Sequence, residues 1–196
     1  VILPVDKVFF GEETEEENKP FKTLYLLHGV MGNYTDWVTG TCIKRWAEEK
    51  NLAVVMPSGA NMFYMDHPNA NENYSEFIGK ELVKITRRMF PLSHKKEDTF
   101  IAGLSMGGYG AIRNGLKYHD TFGYIAGLSS AMILEKWGQQ MTVLLCSLRK
   151  KVFWRVYLEI CPGSKTVRSN PEWIVRKYEK RMESHFRILY LACGTG

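Results

Sequence analysis

The sequence predicts an α/β protein whose mostly parallel central sheet is covered by helices on both faces. Short apolar runs alternate with segments of helical periodicity along most of the chain, and this alternation is typical of parallel sheets. The run Leu24-Tyr25-Leu26-Leu27 is apolar at every position, as expected for a strand covered on both faces. The 196 residues, 45% of them hydrophobic, suit a single domain over 1–196 with a substantial core.

Strand and helix boundaries follow from the apolar runs and the residues that interrupt them. We expect strands at 1–5, 21–28, 52–56, 98–104, 124–128 and 187–193, the first two forming a hairpin around an acidic loop at 12–17. Helices are expected directly after Ser105 and at 41–50, the latter with Ile43, Trp46 and Ala47 facing inward. A third helix is expected at 74–89, with an inward stripe made of Tyr74, Phe77, Ile78, Leu82, Ile85 and Met89.

The segment 132–186 differs from the rest because it is long, basic and aromatic. Within it, Asn170-Pro171-Glu172 has the cap, first-turn proline and early carboxylate of a helix start. We expect this segment to be a cap-like excursion of the same domain that covers one side of the active site.

The charge, the length of the apolar runs and the cysteine spacing indicate which partners and which cellular compartment to expect. The formal charge is +5, but the aromatic and basic interleaving of an RNA-binding module is missing, so the basic runs fit a solvated face. No stretch approaches the roughly 18 consecutive apolar residues of a membrane span. Cys42, Cys146, Cys161 and Cys193 form neither a metal clip nor a compact disulfide framework. We therefore expect reduced, mostly buried thiols in a cytoplasmic protein, with a secreted origin left open.

Ser105 is the candidate catalytic nucleophile. It lies in the pentapeptide Gly103-Leu104-Ser105-Met106-Gly107, after a predicted strand and before a predicted helix. A nucleophile elbow needs this order, because a strained turn between strand and helix exposes the serine oxygen. Gly103 and Gly107 are expected where side chains would collide as the strand and helix fold back on each other.

Acyl transfer also needs hydrogen-bond donors for the oxyanion that forms. His28-Gly29-Val30-Met31-Gly32 follows a central strand, and we call residues 28–32 the glycine loop. We expect the backbone N–H groups of Val30 and Met106 to form the oxyanion hole. Gly29 would allow a close approach to the substrate.

Met31 and Trp37 are candidates for the wall of the substrate pocket, together with Gly29. For Trp37, ordinary core packing is an equally good interpretation.

The chain resembles the esterase D branch of the α/β-hydrolases, which includes tributyrin-type esterases, feruloyl esterases and S-formylglutathione hydrolase. Three ordered motifs carry the resemblance: LLHGVMGN at 26–33 with Asp36-Trp37 after it, PSG at 57–59 with FYMD at 63–66, and AGLSMGGYGA at 102–111 with FG at 122–123 and SSA at 129–131. The resemblance implies an α/β-hydrolase fold and a triad in the order Ser, Asp, His. Its Asp would lie just past the strand that ends at Cys193, and its His further on.

The chain ends at Gly196 and begins at Val1 without a methionine. We therefore expect the first and last elements of the fold to be missing, and the sequence to be part of a longer enzyme. None of the histidines present is a convincing substitute: His28 is expected to position backbone or solvent, His67 and His94 to lie in solvated loops, and His119 and His185 to lie away from Ser105. For Asp36 and Asp66 we expect a local turn or cap role.

The sequence thus predicts a serine carboxylesterase that hydrolyses small, short-acyl esters through an acyl-serine intermediate. It needs neither a metal nor an organic cofactor, and its partner is a small-molecule ester rather than nucleic acid or a membrane. Homo-oligomerisation is left open. The alternatives are an acyltransferase that uses the same serine and a catalytically inactive α/β-hydrolase that serves as a binding protein.

Overall fold

A computed structural model describes residues 1–5, 19–67, 72–131 and the backbone of 188–192. The predicted acidic loop at 12–17, the excursion at 132–186 and the helix start at Asn170 lie outside the described residues. The strands are β1 (Lys22–Leu27), β2 (Leu52–Val55), β3 (Asp66–His67), β4 (Glu72–Asn73), β5 (Thr99–Leu104), β6 (Tyr124–Leu128) and β7 (Ile188–Ala192). The helices are α1 (Asp36–Gly40), α2 (Ile43–Glu49), α3 (Tyr74–Glu76), α4 (Leu82–Met89) and α5 (Met106–Lys117), with a π-helical turn at Phe77–Glu81 and a 3-10 turn at Lys96–Asp98.

Five strands form one parallel sheet in the order β2-β1-β5-β6-β7. The register places Leu27 beside Gly103 and Leu104 beside Leu128, so β1, β5 and β6 end at the same edge. β3 and β4 form a separate antiparallel pair. The predicted α/β class and parallel sheet are confirmed.

The sheet is packed on both faces. One cluster contains Tyr25, Leu27 and Ile101 with apolar residues of α4 and α5. The other contains Leu26, Val54 and Ala102 with Ile43 and Ala47 of α2. Successive strand residues point to opposite faces, which is why neighbours such as Leu26 and Leu27 belong to different clusters.

The predicted hairpin between residues 1–5 and 21–28 is wrong. Ile2 forms a single antiparallel bridge to Val54 in β2 and does not pair with β1. β1 is bonded to β2 on one side and to β5 on the other. Because both of its edges are occupied, β1 has no edge left for a hairpin partner.

The helix predicted at 41–50 forms as Ile43–Glu49, with Ile43 and Ala47 buried as expected. The prediction for Trp46 is wrong, because 48% of its surface is exposed. Trp46 directly precedes the buried Ala47, and adjacent helical residues point about 100° apart.

The segment predicted as a helix at 74–89 is helical throughout, but it changes from α-helical to π-helical winding at Phe77–Glu81. A π-helical turn bonds residues five apart and shifts the helix face that follows it. Ile78 and Val83, five residues apart, are both buried, whereas Ile85 and Met89 are 47% and 66% exposed. The inward stripe predicted from a constant 3.6-residue period is therefore wrong at Ile85 and Met89, whereas Leu82 still packs against the core.

A polar network attaches the chain around Asp66 to α5. The carboxylate of Asp66 accepts hydrogen bonds from the Lys117 Nζ at 2.9 Å and from the Glu76 N–H at 2.9 Å. Ser75 accepts a hydrogen bond from Arg113 at 3.1 Å and donates one to Asn114 at 2.7 Å. Asp66 contacts the first turn of α3, but Asn73 occupies the cap position of that helix and the bond to Lys117 spans 51 residues, so the local turn or cap role expected for Asp66 describes only part of its contacts.

The same network sets the ionisation of Asp66. Burial by itself would raise the pKa of this carboxyl. The hydrogen bonds from Lys117 and Glu76, with the positive charges nearby, outweigh burial and lower the pKa below its ordinary value of 3.8. A lowered folded-state pKa stabilises the fold above the ordinary value, and the contribution is lost as pH falls through the lowered one.

The backbones of β1, β5 and α5 approach closely next to Ser105. A Cβ on Gly103 would collide with the backbone of Gly107, and a Cβ on Gly107 would collide with the carbonyl groups of Leu27 and His28. The steric reason predicted for these two glycines is confirmed at Gly103, whereas Gly107 would collide with the end of β1 rather than with the strand that precedes α5.

No helix among the described residues has the length and apolar character to cross a membrane.

Gly107→Ala should lower the free energy of unfolding by about 1–3 kcal/mol, because the added methyl group displaces backbone rather than a mobile side chain. Urea unfolding of the full-length protein measures the change. Gly40→Ala is the matched control, since nothing lies within 4 Å of a Cβ there, and it should alter stability by less than about 0.5 kcal/mol. Equal stability of the two variants would contradict the packing argument.

Asp66→Asn should lower the free energy of unfolding near neutral pH by about 0.5–1 kcal/mol, the range of a partly exposed ion pair. Its difference from the wild-type protein should shrink as pH falls below 3.8, the ordinary value for this carboxyl. Urea unfolding at a series of pH values measures this, with Glu97→Gln as the exposed control. A difference that stays constant with pH would refute the role of the ionised carboxylate.

Candidate active site

Ser105 occupies the one-residue turn between β5 and α5, with φ 55° and ψ −111°. A non-glycine residue with this φ is strained, and such strain is typical of functional sites. Three hydrogen bonds hold the turn: the Ser105 N–H donates to the Leu128 carbonyl at 2.9 Å, and the Ser105 carbonyl accepts from the Tyr109 N–H and from the Ala131 N–H, each at 3.0 Å. The end of β6 therefore fixes the backbone of Ser105.

The glycine loop lies directly beside this turn. A Cβ on Gly29 would sit 3.8 Å from the Ser105 Cβ and 3.6 Å from the Leu104 carbonyl oxygen. Of the predicted site residues, the structure thus brings Gly29, Ser105 and Met106 together at one edge of the sheet. Val30 follows Gly29 and is 37% exposed.

The amide groups near Ser105 differ in their partners. The Met31 N–H donates to the Asn61 Oδ1 at 2.7 Å, and the Gly32 N–H donates to the Gly29 carbonyl at 3.2 Å. No described residue accepts a hydrogen bond from the Val30 N–H or the Met106 N–H. The first amides of a helix such as α5 have no partner within the helix, so Met106 has a donor to offer.

His28 is 1% exposed and uses both ring nitrogens within the protein. Its Nε2 accepts a hydrogen bond from the Gly59 N–H at 3.0 Å, and its Nδ1 lies 2.7 Å from the Gly29 carbonyl oxygen. Because a carbonyl only accepts, Nδ1 carries the proton and the ring is the neutral Nδ1–H tautomer. A ring engaged in this way has no free nitrogen to act as a base toward Ser105, which agrees with the positioning role expected for it.

A second loop, residues 57–64, is bonded to the glycine loop and the residues after it. Besides Gly59 and Asn61, the Ser58 Oγ accepts from the Tyr34 N–H at 3.2 Å, and the Tyr64 hydroxyl donates to the His28 carbonyl at 3.1 Å. This loop contains the PSG motif and the first two residues of the FYMD motif, to which the sequence alone gave no role. No periodicity could have found these contacts, because they join residues 24 to 36 positions apart.

The two remaining pocket candidates differ in their surroundings. Met31 is 63% exposed and has φ 65°. Trp37 is half-buried and packs against the cluster that contains Leu26 and Ile43. Core packing, one of the two interpretations given for Trp37, describes this contact.

The other histidines are not placed beside Ser105 by any contact of the described residues. His67 is buried and its Nε2 donates to the Met62 carbonyl at 3.3 Å, so the solvated position expected for it is wrong. His94 is exposed, as expected. His119 follows the end of α5 opposite Ser105, as expected, and contacts Asp120. His185 lies outside the described residues.

Two further expectations concern acids and metals. Asp36 is the first residue of α1, where the helix dipole stabilises a negative charge. This position agrees with the local role expected for Asp36. Within 1–5, 19–67 and 72–131, no group of three His, Cys, Asp or Glu side chains is arranged to hold a metal ion.

Comparison with known proteins relates this geometry to a family. The sequence model of the family described as "Putative esterase" matches residues 7–190. An acetyl esterase of Caldicellulosiruptor saccharolyticus is 50% identical over 135 residues, which are 69% of this chain and 51% of that protein. The chain therefore spans about half the length of this curated relative.

Solved structures of serine hydrolases are also similar to this chain. A fluorophosphonate-binding serine hydrolase of Staphylococcus aureus, solved with bound substrate, superposes with a TM-score of 0.77 at 31% identity, covering 98% of this chain and 71% of the other. An S-formylglutathione hydrolase of the same organism gives a TM-score of 0.74 at 31% identity, with the same coverage. A ferulic acid esterase at 19% identity shares the fold, with a TM-score of 0.57. With its parallel sheet and the strained serine turn between β5 and α5, this chain belongs to the "Putative esterase" family and has the α/β-hydrolase fold.

Proposed function

We propose that the full-length protein is a serine carboxylesterase that hydrolyses short-acyl esters through an acyl-serine intermediate. The observation that carries this proposal is the strained turn at Ser105, with the glycine loop packed against it. A serine at the turn of a nucleophile elbow is exposed at the end of the sheet, where an ester carbonyl reaches it.

In the proposed reaction the Ser105 Oγ attacks the ester carbonyl and loses its proton to a general base. Neither ring nitrogen of His28 is free for this role, so we assign the base to a histidine of the full-length protein outside the described residues. The protonated base gives this proton to the leaving oxygen as the tetrahedral intermediate expels the alcohol. The same base then deprotonates a water molecule that attacks the acyl-serine, and the proton returns to the Ser105 Oγ as the acid leaves.

The negative charge of the intermediate falls on the carbonyl oxygen of the substrate. We assign its stabilisation to the N–H groups of Val30 and Met106, to which no described residue offers an acceptor. Met31 is not an alternative donor, because its N–H is bonded to Asn61. Each such donor is worth roughly 100- to 1000-fold in rate.

The substrate class rests on the relatives. The curated relative at 50% identity is named an acetyl esterase, and this name favours small acyl groups. We therefore propose acetyl or other short-chain esters as substrates, with Gly29, Met31 and Trp37 close to the bound ester.

Ser105→Ala should abolish hydrolysis of p-nitrophenyl acetate by the full-length protein, with a loss on the order of a millionfold in kcat, because the members of a triad act as a unit. It should also abolish labelling by a fluorophosphonate probe. Ser129→Ala is the matched control: Ser129 is exposed at the end of β6 and also has a positive φ, 42° against 55° for Ser105. This control should retain both activities.

Two results would decide against the proposal in different ways. A wild-type protein that neither labels nor hydrolyses esters would favour the inactive binding protein. Labelling of Ser105, with the acyl group passed to an added acceptor alcohol and little hydrolysis, would instead identify an acyltransferase.

Lengthening the acyl chain of the ester from acetyl to octanoyl should lower kcat/KM by about tenfold or more, since a pocket that fits a small acyl group rejects added methylenes. A p-nitrophenyl ester series measures this with a constant leaving group. A kcat/KM that rises with chain length would overturn the short-acyl assignment.

A further inference from the structure

We propose that the 57–64 loop sets the direction of the Val30 N–H, with Tyr64 acting through the His28 carbonyl and Asn61 through the Met31 amide. This inference rests on the proposed function, because it concerns the oxyanion donor of that reaction. Tyr64 and Asn61 are positioning residues in this scheme, since neither is required to touch the substrate.

The Tyr64 side chain is tightly enclosed by its neighbours. It is fully buried, and its ring packs edge-on to the His28 ring with centroids 5.7 Å apart. A Cβ on Gly59 or on Gly110 would collide with the Tyr64 ring, at 2.5 Å from its Cδ2 in the case of Gly110. The glycines at these two positions therefore leave room for a tyrosine ring.

The Tyr64 hydroxyl donates a hydrogen bond to the protein backbone. Burial raises the pKa of Tyr64 well above its ordinary value of 10.0, so the hydroxyl is neutral and donates. Its acceptor is the His28 carbonyl at 3.1 Å. A buried donor that already has this partner holds the carbonyl in one direction, because breaking the bond would leave both groups unsatisfied.

The backbone of Tyr64 is also held. Phe63 and Tyr64 have φ values of 52° and 55°, which bulky residues rarely adopt. The Asn114 side-chain amide in α5 donates to the Tyr64 carbonyl at 3.0 Å. The hydroxyl is thus fixed relative to the same helix that begins after Ser105.

The Gly29–Val30 peptide unit links His28 to the Val30 N–H. With its carbonyl held by Tyr64, His28 places its ring so that Nδ1 donates to the Gly29 carbonyl at 2.7 Å. The carbonyl and N–H of a trans peptide unit point in opposite directions. Fixing the Gly29 carbonyl therefore fixes the N–H of Val30, which belongs to the same peptide unit.

Asn61 holds the loop from its other end. Its Oδ1 accepts from the Met31 N–H at 2.7 Å, and Asn61 is exposed, unlike Tyr64. The two contacts lie on either side of the Gly29–Val30 peptide. Together they keep this peptide from rotating before the substrate binds, which is the preorganisation that oxyanion stabilisation requires.

The test compares Tyr64→Phe with Tyr25→Phe in the full-length protein. Tyr25 is also fully buried, and its hydroxyl forms one hydrogen bond, with the Thr86 Oγ1 at 2.8 Å, which the change to Phe removes. Unlike Tyr64, Tyr25 packs against Phe122 in the core. Tyr64→Phe should lower kcat for p-nitrophenyl acetate by about tenfold, less than removal of a donor, with KM changed by less than about twofold. Tyr25→Phe should keep the wild-type kcat even where its stability falls as much.

Asn61→Ala provides a second variant that does not disturb the core. It should lower kcat by about threefold to tenfold, again with little change in KM, because the loop loses one of its two holds. It decides the matter if Tyr64→Phe does not fold. If Tyr64→Phe folds, wild-type kcat in both variants would overturn the proposal. If it does not fold, wild-type kcat in Asn61→Ala alone would overturn it. An equal loss of kcat in Tyr25→Phe would also overturn it.

Hydrogen exchange separates this inference from the proposed function. Amide exchange across residues 28–32 should be faster in Asn61→Ala and Tyr64→Phe than in the wild-type protein and Tyr25→Phe, whether or not the protein hydrolyses esters. A wild-type protein without esterase activity or fluorophosphonate labelling refutes the proposed function. Unchanged exchange in the glycine loop refutes the positioning role.

Discussion

The approach of α5 to the end of β1 is the constraint from which the arrangement of the site follows. At Gly107 the helix backbone lies against the carbonyl groups of Leu27 and His28, with no room for a Cβ. Such contact between backbones allows little adjustment, because neither side has rotamers to change. It fixes the glycine loop relative to Ser105, and the His28 carbonyl at this contact also accepts the hydrogen bond from the Tyr64 hydroxyl.

Hydrogen bonds between uncharged groups, with backbone carbonyls or side chains as acceptors, hold the loops in place next to Ser105. His28 and Tyr64 are nearly or fully buried, and a charge there would be costly without a paired partner. A charged network of Asp66, Lys117 and Arg113 lies further along the chain, against the later turns of α5. The 57–67 stretch is therefore bonded to the glycine loop near its start and to α5 near its end, and its position is determined from both sides.

The accuracy of the sequence predictions depends on how local the determining contacts are. The strand at 124–128 and the serine turn after β5 were predicted correctly, because buried runs and the glycine–serine pattern are local signals. The stripe after the π-helical turn failed at Ile85 and Met89, since periodicity assumes constant winding. The contacts of Tyr64 were not predicted, because its partners Asn114 and His28 lie 50 and 36 positions away.

This distribution of contacts also separates the two halves of the proposed machinery. The proposed nucleophile Ser105 and the proposed donors at Val30 and Met106 are positioned by β1, β5, α5 and the 57–64 loop, all among the described residues. A serine and its base act as a unit, whereas oxyanion donors give a residual rate enhancement when the triad is broken. Changes in the 57–64 loop should therefore act on stabilisation of the intermediate and leave the ionisation of the base unaltered. For that reason the direction of the Val30 N–H is determined by this part of the chain, wherever the base lies.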